Sequence, residues 1–207
     1  MFNIKRPDAQ WQAFRFAQQS CLKGYYAEFG VWQGQSMFTA IQNNENLKDF
    51  CKRYKKDNSF DCLGFVGYDS FDGFPEFEDG DELEGYSAFY QGKFKDTSYN
   101  EICEAIPQAR FVKGYFNESF KDEPDYPIAI AHIDCDIYSS TVDVLNFITP
   151  RLVDGAVLLW DDWFCYQGRP DKGERRAFLE WDKKDNCQDY FNYTQQGKAM
   201  IYSSVAP

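Results

Sequence analysis

The sequence predicts an α/β fold in which a mostly parallel β-sheet carries helices on both faces. Three observations support this prediction. Five short apolar runs each end in polar or turn-forming residues, as buried parallel strands do. Segments with helical periodicity separate several of these runs, which is the pattern of βαβ units. The chain has 207 residues, which suits one domain of this kind and disfavours a second full domain.

An amphipathic helix is predicted to open the fold, and an aromatic-rich strand then ends at Gly30 and leads through a turn into the second helix. The predicted helices are 8–22, 36–54, 139–152 and 173–185. The predicted parallel strands are 25–30, 64–69, 110–115, 127–134 and 155–161. A terminal β-hairpin of 190–193 and 198–203 would place antiparallel strands at the sheet edge. We expect Ser139, Ser140 or Thr141 to cap the helix that begins there.

One segment, 74–108, interrupts this alternation. It is acidic and aromatic, and it is longer than a bare connection in a compact domain usually is. We therefore predict a single domain over 1–207 in which 74–108 forms a lid.

Composition and charge exclude several classes of partner. The formal net charge of -11 disfavours nucleic acid, which is bound by cationic surfaces. No window reaches the roughly 18 to 20 apolar residues of a membrane span, and the first ten residues lack the apolar stretch of a secretory signal. The seven cysteines include no CxxC pair, which argues against a disulfide framework and against a zinc site. We expect a cytoplasmic protein that does not associate with membranes.

The segment EFGVWQGQS, from Glu28 to Ser36, places Gly30 and Gly34 between a predicted strand and a predicted helix. Glycines there let the backbone approach a ligand closely, and a helix N-terminus favours anionic groups such as a carboxylate. The spacing differs from the dinucleotide fingerprint GxGxxG, which disfavours a nicotinamide cofactor. The alternative is a tight turn that binds no ligand.

An acidic residue, Asp69, ends the second predicted parallel strand and begins the segment DSFDGFPE together with Ser70. Ligands of doubly wound sheets bind beyond the carboxyl ends of the strands, where such a residue can accept hydrogen bonds from both ribose hydroxyls. A solvated acidic turn is the alternative interpretation.

The densest group of carboxylates follows two other strands. Asp134 ends the run HID, and Asp161 and Asp162 end the run GAVLLWDD. If these strands are parallel neighbours, the three side chains emerge at the same sheet edge, where they repel one another unless they share a cation. Oxygen ligands favour Mg²⁺ first, and Mn²⁺ or Ca²⁺ next, over zinc. The alternative is that these aspartates cap helices and turns.

Three neighbours of Asp134 remain ambiguous from the sequence. His132, the only histidine, is either a catalytic residue or a hydrogen-bonded core residue. Asp136 is an outer metal ligand, a general base or a helix cap. Cys135 lies between two carboxylates, which raise the pKa of its thiol and make it a poor nucleophile.

The blocks EFGVWQGQS, DSFDGFPE, HIDCDIYSST and GAVLLWDDW together resemble the macrocin O-methyltransferase (TylF-like) family, over roughly residues 24–180. The resemblance implies a Rossmann-like, doubly wound sheet of seven strands and the use of S-adenosylmethionine. It also implies a requirement for magnesium and the methylation of a hydroxyl of a small molecule, such as a sugar.

The resemblance also implies the role of each matching residue. The methionine part of the cofactor would lie against Glu28, Gly30, Gly34 and Ser36, its ribose at Asp69, and its adenine near Gly114 and Tyr115. Ser70 and Asp134 would be further cofactor-binding residues. The metal would be held by Asp134, Asp161 and Asp162. Either Asp134 or Asp136 would be the catalytic base, with His132 nearby.

This chain is short beside typical family members, so we expect it to lack an N-terminal extension, and 74–108 would then supply most of the acceptor pocket. The resemblance allows a homodimer. Two alternatives stay open: a catechol-type methyltransferase that acts on a phenol, and a protein that binds S-adenosylmethionine or a nucleotide without catalysis.

Overall fold

The structure, a computed structural model, describes residues 6–56, 60–82, 84–90, 92–191, 194 and 196–205. The strands are β1 Lys23–Phe29, β2 Asp61–Asp69, β3 Ala109–Lys113, β4 Ile128–Ile133, β5 Leu152–Trp160, β6 Cys187–Phe191 and β7 Lys198–Tyr202. The α-helices are α1 Arg6–Gln19, α2 Gln35–Arg53, α3 Tyr99–Ala105, α4 Phe116–Ser119, α5 Tyr138–Ile148 and α6 Gly173–Glu180.

The seven strands form one sheet in the order β3-β2-β1-β4-β5-β7-β6. Strands β1 to β5 pair in parallel, and β7 runs antiparallel to both β5 and β6. This confirms the predicted Rossmann-like, doubly wound sheet with an antiparallel hairpin at its edge. Asn192, Tyr193 and Gln195 of the predicted hairpin lie outside the described residues.

Helices cover both faces of the sheet because the strands present apolar side chains on both sides. One core cluster joins the sheet to α1, α2 and α3, and a second joins it to α4, α5 and α6. Every residue of β4 is buried, as expected for a central parallel strand. The second cluster includes a stack of rings in which Phe120 and Phe147 lie 4.0 Å apart between centroids.

Segment 74–108 contains more regular structure than we predicted, because α3 occupies its last third. This helix has seven residues and one fully buried side chain, Ile102, which is too short a pattern for helical periodicity to identify. Leu83 and Gln91 of the segment lie outside the described residues. None of the helices in the described ranges has the length and apolar character of a bilayer span.

The carboxyl ends of the central strands are aligned. Phe29 of β1 pairs with Ile133 of β4, which pairs in turn with Trp160 of β5. The ladder continues one residue further, because the N–H of Asp134 donates to the carbonyl of Phe29 and the N–H of Asp161 donates to the carbonyl of Ile133, both at 2.9 Å. The first residues after β4 and β5 are therefore held side by side.

Candidate active site

A cavity of about 490 Å³ opens at the carboxyl edge of the parallel strands, which is the edge where α/β sheets bind ligands. Its volume is usual for a small-molecule site. Residues that follow each of β1 to β5 line it, and the segment 74–98, which we call the wall segment, forms another side. The strand-end residues are Gly30, Trp32, Asp69, Ser70, Gly114, Tyr115, Asp134, Cys135, Asp136, Asp161 and Asp162.

The structure brings the three predicted metal ligands together. One carboxylate oxygen from each of Asp134, Asp161 and Asp162 lies within 4.8 Å of the other two. The aligned ends of β4 and β5 impose this convergence. Carboxylates at such separations repel one another, and an ion shared among them removes the repulsion. The donor chemistry therefore fits a hard divalent cation that takes oxygen ligands.

Two further carboxyl groups lie next to this cluster. Asp136 has a left-handed backbone with φ 64° and is almost fully buried. Burial raises the pKa of the Asp136 carboxyl well above its usual value, and the neighbouring Asp162 raises it further. Glu174, the second residue of α6, is fully buried. The sequence gives no sign of this position, because an acidic residue in the first turn of a helix is ordinarily exposed and favoured by the helix dipole.

Gly30 and Gly34 have left-handed backbones, with φ of 92° and 74°. A Cβ atom on Gly30 would lie 1.8 Å from the carbonyl oxygen of Asp134, and one on Gly34 would lie 2.7 Å from the Cδ1 of Ile106. Close packing against main chain thus requires Gly30, whereas at Gly34 the left-handed backbone is the reason for glycine, because the end of the Ile106 side chain can move. The approach of a ligand to both glycines stays a prediction. Gly30 also lines the cavity.

The carboxylate of Asp69 holds this glycine turn in place. Its Oδ2 accepts hydrogen bonds from the main-chain N–H groups of Val31 and Trp32 at 2.8 and 2.9 Å, and its Oδ1 accepts one from Phe71 at 2.7 Å. Ser70, which also lines the cavity, donates its hydroxyl hydrogen to the carbonyl of Gly73. The placement of a ribose at Asp69 and Ser70 stays a prediction.

Beneath the turn lies a buried polar network. Tyr26 Oη donates to Glu28 Oε2 and Ser36 Oγ donates to Glu28 Oε1, both at 2.7 Å. His132 Nδ1 lies 3.1 Å from Tyr26 Oη and 3.3 Å from Glu28 Oε2. His132 and Glu28 have no exposed surface, which matches the alternative of a hydrogen-bonded core histidine. The network joins β1, β4 and the start of α2, and so supports the cavity floor from within.

Gly114 and Tyr115, predicted near an adenine, line the cavity beyond the end of β3. The N–H of Gly114 donates to the carbonyl of Asp69 at 3.0 Å, which aligns this turn with the end of β2. Burial raises the pKa of the Tyr115 hydroxyl, with smaller contributions from Asp72 and Glu118. The adenine placement stays a prediction.

The wall segment is aromatic and is anchored by Asp81. Phe74 makes edge contacts with Phe89 and Phe94. Asp81 is fully buried, and its carboxylate accepts hydrogen bonds from the main-chain N–H and the hydroxyl of Ser139 at 2.8 and 2.7 Å. It also accepts one from the N–H of Glu78 at 2.8 Å.

Asp81 therefore caps α5, and the expected cap at Ser139, Ser140 or Thr141 is wrong. The helix begins at Tyr138, and its first turn is served by a carboxylate 58 residues earlier in the chain. No local pattern could identify such a long-range cap, since capping rules consider only the residues next to the helix.

Comparison with known proteins agrees with this architecture. The model of one protein family, described as macrocin-O-methyltransferase (TylF), matches residues 1–186. The chain belongs to this family. One relative is 8-demethyl-8-(2,3-dimethoxy-alpha-L-rhamnosyl)-tetracenomycin-C 4'-O-methyltransferase from Streptomyces olivaceus. It is 26% identical over 165 residues, which are 79% of this chain and 62% of that protein. Mycinamicin III 3''-O-methyltransferase from Micromonospora griseorubida is 26% identical over 182 residues, which are 79% of this chain and 64% of that protein.

The chain thus spans somewhat less than two thirds of the length of these curated relatives. Among solved structures, the O-methyltransferase NovP is similar with a TM-score of 0.72 and 20% sequence identity. The match covers 97% of this chain and 80% of that one. The likeness supports the Rossmann-like methyltransferase fold described above.

Proposed function

We propose that this protein transfers the methyl group of S-adenosylmethionine to a hydroxyl of a sugar or a glycosylated metabolite, with the help of a divalent cation. One observation carries the proposal: Asp134, Asp161 and Asp162 meet at the wall of the same cavity that the glycine turn at Gly30 lines. A cation site and a cofactor turn that share one cavity are what such a transfer requires, because the acceptor oxygen and the methyl group must be held together.

The order of the strand ends supports a placement of the methyl donor, which supplies the group that is transferred. Its methionine part would lie at Gly30 and Asp134, its ribose at Asp69 and Ser70, and its adenine at Gly114 and Tyr115, along one continuous cavity. The turn would be supported from below by Glu28, Gly34 and Ser36. The side chains of Glu28 and Ser36 are buried and hydrogen-bonded to each other.

The three aspartates would hold Mg²⁺, or Mn²⁺ or Ca²⁺ in its place, and the ion would lower the pKa of the acceptor hydroxyl. Asp136 lines the cavity next to these ligands and would accept the hydroxyl proton, with Asp134 as the other candidate. His132 lies below in the buried network, so we assign it the support of Glu28 and the turn.

The wall segment favours a sugar ring as the acceptor. Phe74, Tyr86 and Phe89 line the cavity with aromatic surface, and carboxylates such as Glu76 stand among them to accept hydrogen bonds from hydroxyls. The name of the Streptomyces olivaceus relative describes O-methylation of a compound that carries a rhamnosyl group.

The test is methyl uptake from labelled S-adenosylmethionine by a panel of sugar glycosides and catechols, with Mg²⁺ and with a chelator. We expect Mg²⁺-dependent methylation of sugar hydroxyls, and loss of that activity in Asp161→Asn. Preference for catechols would identify the phenolic alternative instead. Tight binding of S-adenosylhomocysteine without turnover on any acceptor would identify a protein that binds the cofactor without catalysis.

A further inference from the structure

Glu174 occupies an unusual position for an acidic residue. It is the second residue of α6 and has no exposed surface, and its Oε2 accepts a hydrogen bond from the main-chain N–H of Asp162 at 3.1 Å. Its other oxygen, Oε1, is buried and has no hydrogen-bond partner within the described part of the chain. A buried carboxylate oxygen without a partner is costly, since nothing replaces the water that it loses on folding.

The surroundings of Glu174 increase this cost. Burial disfavours the charged form of its carboxyl, and the negative charges of Asp162, Asp134 and Asp161 disfavour that form further. Asp136 is a further acidic neighbour. A residue that served only to pack α6 against the sheet would be better replaced by an apolar side chain, because that would remove both the repulsion and the unpartnered oxygen.

The geometry puts Glu174 one layer behind the proposed metal ligands. Among the described residues, the oxygens that meet within 4.8 Å belong to the three aspartates. Glu174 instead touches the main chain of one of them. Residues that act on a metal through its ligands typically hold a ligand in orientation or accept hydrogen bonds from the outer coordination sphere.

We propose that Glu174 is a positioning residue for the divalent cation, which fixes Asp162 through one oxygen and presents the other to the outer coordination sphere. This inference rests on the proposed function, since it requires that the aspartates bind a cation. It adds that a fourth acidic group tunes the affinity for a hard ion such as Mg²⁺ or Mn²⁺. The inference also predicts that Glu174, beside the three aspartates, destabilises the protein when the ion is absent.

The test combines Mn²⁺ titration, followed by electron paramagnetic resonance, with thermal unfolding in the presence and absence of Mn²⁺. Glu174→Gln keeps the size of the side chain and an oxygen for the N–H of Asp162, whereas Glu174→Ala removes both oxygens. We expect Mn²⁺ affinity to fall about tenfold in Glu174→Ala and by a smaller factor in Glu174→Gln. We also expect metal-free Glu174→Gln to unfold at a temperature equal to or above that of the metal-free wild type.

Glu104→Gln, at an exposed position of α3, is the matched control and should leave both quantities unchanged. A structural role for Glu174 predicts the opposite pattern: a lower unfolding temperature without metal and unchanged Mn²⁺ affinity in Glu174→Gln. That result would overturn the inference and leave the proposed function intact. If the wild type itself binds no Mn²⁺, both are overturned. If Glu174→Ala does not fold, the two measurements on Glu174→Gln still decide.

Discussion

Replacing Gly30 with alanine tests whether the glycine turn and the proposed cation site are mechanically one unit. The new Cβ atom would lie 1.8 Å from the carbonyl oxygen of Asp134, far short of the 3.4 Å at which ordinary contact begins. The residue also has a φ of 92°, which alanine adopts only under strain. Left-handed strain costs about 1 to 2 kcal/mol and an overpacked contact about 1 to 3 kcal/mol, so we expect stability to fall by about 2 to 5 kcal/mol.

The same displacement should weaken two ligands together. Relief of the contact must move Asp134, which is both a cavity wall and a proposed metal ligand. We therefore expect Gly30→Ala to lower the affinities for S-adenosylhomocysteine and for Mn²⁺, each by about tenfold or more, as shifts of ligand orientation usually do. Isothermal titration calorimetry measures both affinities, and urea unfolding measures the stability.

Gly85→Ala is the matched control. Gly85 has a φ of 77°, and nothing lies within 4 Å of the position that its Cβ atom would take. The control therefore carries the backbone strain, about 1 to 2 kcal/mol, without the contact. If Gly30→Ala is as stable as Gly85→Ala, and loses affinity for S-adenosylhomocysteine while Mn²⁺ affinity is unchanged, then the glycine serves only the approach of a ligand. The coupling argued from the Asp134 contact would then be wrong.

Three further predictions concern the wall segment, the cation and pH. Asp81→Ala should lower the free energy of unfolding by about 3 kcal/mol, because three partly buried hydrogen bonds to a carboxylate are lost. Asp79→Ala, at an exposed position of the same segment, should cost under about 1 kcal/mol. Equal losses in urea unfolding would contradict the anchoring role of Asp81. Asp161→Asn should reduce Mg²⁺-dependent methyl transfer about 100-fold or more, while its affinity for S-adenosylhomocysteine stays within about tenfold of the wild-type affinity. Full activity of the variant in the presence of a chelator would refute the metal role. Burial alone would raise the pKa of Glu123, but hydrogen bonds from Arg110 and a tyrosine lower it below its ordinary value of 4.5. The stabilisation by Glu123 is therefore complete above pH 4.5 and is lost as the pH falls below it. The stability of Glu123→Gln should fall less steeply with decreasing pH than that of the wild type. Parallel plots of unfolding free energy against pH would count against the pairing of Glu123 with Arg110.

The sequence predicted those features of the site that depend on strand polarity. Asp134, Asp161 and Asp162 were identifiable because parallel neighbouring strands end at the same edge, and β4 and β5 are such neighbours. The main helices were identifiable because each has a periodic apolar pattern longer than one helical turn. The hairpin was identifiable from two short strand-like runs on either side of a turn sequence. Helices and strands whose apolar pattern extends over enough consecutive residues could therefore be predicted.

Features that depend on contacts between distant segments could not be predicted. Asp81 is indistinguishable in sequence from the exposed acidic residues around it, and only the fold brings it to the start of α5. Glu174 looks like a helix-dipole residue, yet it is buried against Asp162. The sequence could not show the second reason for glycine at Gly30, because the Asp134 carbonyl that packs against it follows a distant strand. The approach of a ligand to Gly30 stays a prediction.

Two carboxylates that the sequence did not reveal and one that it did share a physical role. Asp69 binds the N–H groups of the glycine turn, Asp81 binds the N–H at the start of α5, and Glu174 binds the N–H of Asp162. Each carboxylate thus fixes the main chain of a different side of the cavity. The proposed methyl transfer depends on holding two reacting atoms in line, so rigid cavity walls would contribute to catalysis beside the proposed cation and base. Carboxylates bind main-chain N–H groups strongly, which suits them to fix the cavity walls. The three aspartates repel one another where these walls meet, and the proposed cation would relieve that repulsion.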